Sequence, residues 1–314
     1  MNHKEIFYRE SKKYQFPKTN IAQEISEPLF VEINRLFSSA DGLSIKNGEK
    51  HRRVLLALSI VGTLLTFSFL IYDEIEIYGL ILACGIMIVC LFVIRHFSVK
   101  LDCHRKYLQY RVLAETLRLQ YYLSMAAIRM KVSDLLPWSI QMEIEWIKEV
   151  LETLPMAETK EKQSVLECWI KDQKSYHQQA LKKAEKNNKR DKVIGKSVLF
   201  ITILAYLIAI VFEFFVYKNN PSSMNINSVR VILKVVLGTM SAVTLFTSSY
   251  YGKMSLDNKI DDHRRMIALY QKSEQEIEIN GETDELLLSL AREFLSENSN
   301  WYAYQKKNNP DLVI

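Results

Sequence analysis

The chain has 314 residues, 48% of them hydrophobic and 25% charged, with a formal net charge of +5; these values lie near the globular average. The distribution is not average, because charges vanish from two windows, nearly vanish from two more, and crowd into the segments between. Such blocks point to a membrane protein with large aqueous parts and away from a secreted protein or a common soluble enzyme. The nine glycines form neither of the two common phosphate-cradling loops. Cys84, Cys90, Cys103 and Cys168 include no C-x-x-C pair, so neither a disulfide framework nor a zinc site is expected. The six histidines include no H-E-x-x-H and no pair at helical spacing. No catalytic constellation, cofactor or metal is therefore expected.

Residues 1–53 open polar, with no apolar run in the first 30, which predicts no cleaved signal peptide. One helix is expected there. Ser26, Glu27 and Pro28 start it, and Leu29, Phe30, Ile33, Leu36 and Phe37 share one face. Asp41-Gly42 and Asn47-Gly48 read as turns. Residues 54–94 then carry two apolar windows, Val54–Tyr72 and Ile77–Ile94, and residues 197–251 carry two more, Ser197–Tyr217 and Val231–Tyr251. About 20 residues cross a bilayer core of roughly 30 Å, so four spans are expected. The connections are short, and each pair reads as an antiparallel hairpin.

Residues 95–196 follow a helical period. Expected helices carry Leu113 to Leu123, then run from Ser139 to near Pro155, then from about Thr159 towards Ala184. The final segment, 252–314, predicts a charged helix over 257–278, a break at Gly281 and a last helix over 285–298. His104-Arg105-Lys106 and His263-Arg264-Arg265 follow the two pairs of spans at similar distances. They read either as a trace of duplication or as the basic residues that gather at any membrane edge. The predicted fold is an all-α integral membrane protein, two transmembrane hairpins with a cytoplasmic helical bundle.

Of the 41 Lys and Arg, only Lys218, Arg230 and Lys234 fall in the spans or their connections. The positive-inside rule places both termini and the middle segment in the cytoplasm, and basic flanks beside anionic headgroups account for the net charge without a nucleic-acid partner. Glu213 and Lys234 are the charges inside spans, placed by a hairpin at similar depth. They form either a charged gate in a pore made by several copies or a salt bridge locking one hairpin. Lys234, Gly238, Ser241 and Ser248 make a stripe with Thr244 beside it, and Ser59, Gly62, Thr63 and Thr66 make another. Small and hydroxyl residues on one face line water or let helices pack closely. Arg111, Glu115 and Arg118 share a helix face and can pair.

Three strings carry a family resemblance. Tyr110, Arg111, Leu113, Ala114, Glu115, Leu117, Arg118 and Gln120 resemble a Y-R-x-L-A-E-x-L-R-x-Q signature. Trp169, Asp172, Gln173 and Tyr176 resemble W-[VI]-x-D-Q-x-x-[YF], and Ala291 to Trp301, with Glu297 and Asn298, is similar to A-R-E-A-L-A-E-N-x-x-W. Together, over residues 50–314, they resemble the SLATT and SMODS-associating four-transmembrane effector families, bacterial membrane regions found beside SLOG domains. The resemblance implies an inner-membrane effector of antiphage systems that forms an oligomeric pore or disrupts the membrane when a partner or nucleotide signal releases it. It also implies that these motifs control assembly and gating. Many relatives carry an N-terminal sensor, and the segment before the first span here is too short for one, so a separately encoded sensor or a second messenger is expected. A non-conducting anchor that recruits a defence complex is the alternative, and an enzyme is a distant third.

Overall fold

The computed structural model describes residues 3–14, 16, 21–22, 25–75, 77–155, 163–219, 224–254 and 256–307. Among them every regular element is helical, as the sequence predicts. The α-helices are α1 (His3–Lys13), α2 (Pro28–Ile75), α3 (Tyr78–Leu101), α4 (Cys103–Met125), α5 (Trp138–Glu143), α6 (Glu145–Glu152), α7 (Asp172–Val211), α8 (Met224–Met254), α9 (Leu256–Asn280) and α10 (Asp284–Lys307). Four stretches, Pro28–Ile75, Gly79–Met125, Leu166–Tyr217 and Met224–Asn280, are long and apolar enough to cross a membrane, and the four apolar windows fall on them. The chain divides into two compact units. Unit one gathers Met1–Lys50, Asp102–Lys182 and Ile260–Ile314, and unit two gathers His51–Leu101 and Lys183–Lys259.

Unit one is built around α4. From Leu108 to Met125 no residue of this helix is exposed, the pattern of a helix enclosed on every side. The start of α2 packs Phe30, Ile33, Leu36 and Phe37 into the same core, α6 adds Trp146, Ile147 and Val150, and α10 adds Leu287, Ala291 and Leu295. Helix α1, unforeseen in the polar N-terminal segment, docks through one ring. Phe7 is fully buried, 5.6 Å from Tyr110 and 5.8 Å from Trp146 between ring centroids. Glu10 secures it, accepting hydrogen bonds from Lys106 Nζ at 2.7 Å and the Tyr110 hydroxyl at 2.9 Å.

Several local expectations change. Asp41-Gly42 and Asn47-Gly48 are not turns but lie inside α2. A helix-interior glycine costs about 1 kcal/mol relative to alanine, yet here small size is what the packing needs. A Cβ at Gly48 would sit 3.1 Å from the Tyr107 ring, and one at Gly42 would strike Phe16. The helix expected from Ser139 to Pro155 is split at Ile144, whose φ of −137° and ψ of 51° separate α5 from α6 and bury its side chain. The expected start at Thr159 lies outside the described residues. Beyond them a π-helical turn, Leu166–Lys171, precedes α7, with the Ile170 amide donating to the Val165 carbonyl at 3.3 Å.

Glu282 holds the start of that turn. Its carboxylate accepts from Ser164 Oγ at 2.5 Å and from the amides of Val165 and Leu166 at 3.2 and 3.1 Å. Gly281, with φ of +75°, makes the corner between α9 and α10 where the sequence places a break. Helix α10 runs past its expected end and brings Trp301 and Tyr302 into the packing. Within the core, Tyr122 stacks on Trp169 with centroids 5.2 Å apart and planes 9° from parallel, but its buried hydroxyl has no hydrogen-bond partner among the described residues. Tyr122→Phe should keep the stack and remove the unpaired group, moving stability by less than about 1 kcal/mol and in the stabilising direction. Thermal unfolding of the two proteins side by side checks this, and a clear loss in the variant would contradict it.

Unit two holds the apolar windows. Gly62 of α2 lies under the Phe246 ring and Gly238 of α8 against Leu70, so α2 and α8 approach closely where side chains are missing. Much of the remaining surface is apolar and open, with Leu82 at 70%, Phe92 at 62% and Phe215 at 72% exposure. The end of the third window departs from a regular α-helix. Phe212–Tyr217 is a π-helical turn in which the Lys218 amide donates to the Glu213 carbonyl at 3.2 Å.

Candidate functional sites

Among the described residues, charges in and just beside the last two apolar windows of unit two form two ion pairs that involve three helices. The Glu213 carboxylate accepts from Arg230 Nε at 3.0 Å and Nη2 at 2.6 Å, a forked arrangement that fixes both side chains. The Arg230 guanidinium also lies 4.0 Å from the Tyr217 ring centroid. Lys234 Nζ donates to Glu74 Oε1 of α2 at 2.8 Å. This corrects the expected Glu213–Lys234 salt bridge. Arg230 sits one turn before Lys234 on α8 and takes Glu213, while Glu74, at the end of α2, takes Lys234. The π turn carries one residue more per turn than an α-helix, so Glu213 does not point where a 3.6-residue period puts it.

The hydroxyl stripes are occupied by helix packing. Ser241 donates to the Leu237 carbonyl at 2.8 Å and lies 3.0 Å from the Tyr206 hydroxyl. Thr244 donates to the Met240 carbonyl at 2.8 Å and lies 2.9 Å from Thr202 Oγ1. Ser248 is exposed. Ser59, Thr63 and Thr66 bond back to carbonyls of their own helix.

In unit one, residues of the first two motif strings meet at a second polar site. Glu115 is bracketed by two guanidiniums: Arg111 Nη2 lies 2.6 Å from Oε1 and Arg118 Nη1 lies 2.6 Å from Oε2. Arg111 also reaches Asp41 of α2 at 3.1 Å, and Arg118 reaches Gln173 Oε1 of α7 at 3.4 Å while lying 5.1 Å from the Phe37 ring centroid. Burial by itself pushes the Glu115 carboxyl up, but Arg111 and then Arg118 outweigh it and leave the group below its usual range. Gln173 in turn donates to Asp172 at 3.1 Å. What reads in sequence as an intrahelical pair is a bracket joining α2, α4 and α7.

Next to it, His177 of α7 and His263 of α9 meet Nδ1 to Nδ1 at 3.0 Å. The Tyr270 ring lies 5.8 Å from His177, and Lys174 forms an ion pair with Glu274 of α9. Burial first, then the His263 ring, pushes His177 down to about 4, against the pull of Glu115. Trp169 completes the contact by stacking on Tyr122 and approaching Phe294 of α10 at 5.4 Å. Farther along α10, Glu297 lies 3.7 Å from Arg265, Asn298 is half-buried, and Trp301 packs edge-on to Tyr107 at 6.1 Å.

No family model matches the chain, and neither a curated protein nor a solved structure does. Among the described residues no group of three or more His, Cys, Asp or Glu side chains is placed to hold a metal. Sequence reasoning missed Asp41, Glu74, Arg230, His177 and His263 as parts of these sites. Arg230 had a readable signal, since it precedes Lys234 by four residues on one helix face. The histidines had none, being 86 residues apart. His104, the counterpart of His263 in the suspected repeat, contacts the Gln305 carbonyl at 3.3 Å instead.

Proposed function

We propose that this chain is a membrane effector of a bacterial defence system, which in oligomeric form opens or disrupts the inner membrane when a partner or nucleotide signal releases it. The observation that carries this reading is the pair of ion pairs Glu213–Arg230 and Lys234–Glu74 on apolar spans. Charges at such positions are costly, and chains keep them where they pair or line water. A single set of four spans leaves little room for an aqueous path, so conduction needs several copies in closed symmetry. The resemblance of the motif strings to four-transmembrane effectors supports the defence role. The basic flanks support two hairpins with both termini cytoplasmic.

A second reading has its own support. Gly62, Gly238, Ser241 and Thr244 serve contacts within one chain, which favours a non-conducting anchor that recruits a complex through unit one. Membrane potential in bacteria after brief induction separates the two. The effector reading expects rapid depolarisation by the wild type and its loss or alteration in Lys234→Glu, where two carboxylates would face each other at Glu74. An intact potential with wild type and variant alike, in cells that also hold the cognate trigger, would leave the anchor.

A further inference from the structure

We propose that the His177–His263 contact is an acid-released latch that fastens α9 to α7 within unit one. Two Nδ1 atoms 3.0 Å apart need one hydrogen between them, one ring donating and the other accepting. A neutral pair meets this with unlike tautomers, and a pair with one added proton meets it as well. Once both rings are imidazolium, each Nδ1 carries a hydrogen, and two donors with two positive charges face each other at hydrogen-bond distance. The closed contact therefore excludes the doubly protonated state, while the separated rings accept it freely.

The surroundings sharpen this exclusion. From α4, Arg111 and Arg118 oppose a second charge and Glu115 favours one. Asp41 of α2 acts through its bond to Arg111. On α7 the Tyr176 ring lies 5.3 Å from His177, and Lys174 is engaged with Glu274 of α9. From α9 comes Tyr270, backed by Phe294 of α10 at 4.7 Å. The sign follows. His177 binds its proton less well in the closed form, near 4, than a free histidine does at 6.5. Closure is then fully effective above the free value and weakens as pH falls from 6.5 towards 4. The latch does not depend on whether the chain conducts, since both rings lie in unit one.

Amide hydrogen exchange on the full chain in lipid nanodiscs, from about pH 7.5 to about pH 4.5 and corrected for intrinsic rates, reads the latch as local opening of α9. The expected result is an α9 opening constant that rises by up to about tenfold per pH unit below the free histidine value. His177→Phe keeps a ring against Tyr270 and carries no proton, so its α9 should lose that pH dependence while staying protected at neutral pH. Glu115 contributes the same acid sensitivity to both proteins, which makes the difference between them the readout. Equal acid sensitivity in wild type and variant overturns the latch. Should His177→Phe not fold, histidine ring NMR of the wild type decides. A depressed, coupled titration of the two rings supports the latch, and two independent titrations near the free value overturn it.

Discussion

Glu115→Ala is expected to destabilise unit one by about 2–4 kcal/mol, the largest effect of any single truncation in the polar bracket. Each Glu115 oxygen holds a guanidinium at 2.6 Å. Without it, Arg111 keeps Asp41 and Arg118 keeps the 3.4 Å contact with Gln173, and two like charges remain on one face of an enclosed helix. Breaking a fully buried pair costs about 3–5 kcal/mol. The Glu115 side chain is 27% exposed, so solvent relieves part of that cost. Glu115→Gln should cost less, because its side-chain oxygen still accepts a hydrogen bond from one guanidinium and its amide fills the space that alanine leaves empty. Thermal unfolding of the purified full chain, followed through the fluorescence of its four tryptophans, all in unit one, reads the difference. A melting point unchanged by the alanine would mean that the bracket contributes nothing to unit one.

The second large effect concerns the forked pair on the spans. Arg230→Glu sets a second carboxylate against Glu213 at a position where a guanidinium now makes two bonds of 2.6 and 3.0 Å. The expected outcome is loss of induced depolarisation in cells, with membrane insertion retained because the apolar windows are untouched. The exchanged double variant, Glu213→Arg with Arg230→Glu, restores an opposite pair at the same place and should recover a large part of the activity. Unpaired charge at a helix centre costs about 2.5–3.5 kcal/mol on insertion scales; near the end of a span the cost is smaller, and about a tenfold change in an assembly equilibrium is expected. Full activity in the single variant, or none in the exchanged one while it still inserts, would separate this pair from function.

The spans were legible because an uncharged run of about 20 residues has few soluble alternatives. Their side-chain geometry was not. A helical wheel through 197–217 assumes an unbroken α-helix, and the π turn at Phe212–Tyr217 changes the direction of Glu213 and hence its partner. Glycines misled for a related reason: Gly42 and Gly48 signal turns only when flexibility is what the chain needs, and here it is the missing side chain. Helix α1 escaped notice because one buried ring, Phe7, and one carboxylate, Glu10, dock it, too little apolar residue to show as a stripe. The motif strings stood out residue by residue, but the meeting of the first two around Glu115 and Gln173 depends on long-range packing that no local period encodes.

The enclosure of α4 separates what is conspicuous in this sequence from what a partner can touch. Between Leu108 and Met125 only Arg111, Glu115 and Arg118 keep part of their surface in solvent, so whatever approaches unit one meets the outer faces of the surrounding helices first. The string that stands out most, Tyr110 to Gln120, then works as a keystone. A change at the surface of unit one acts on it chiefly by shifting the helices wrapped around it.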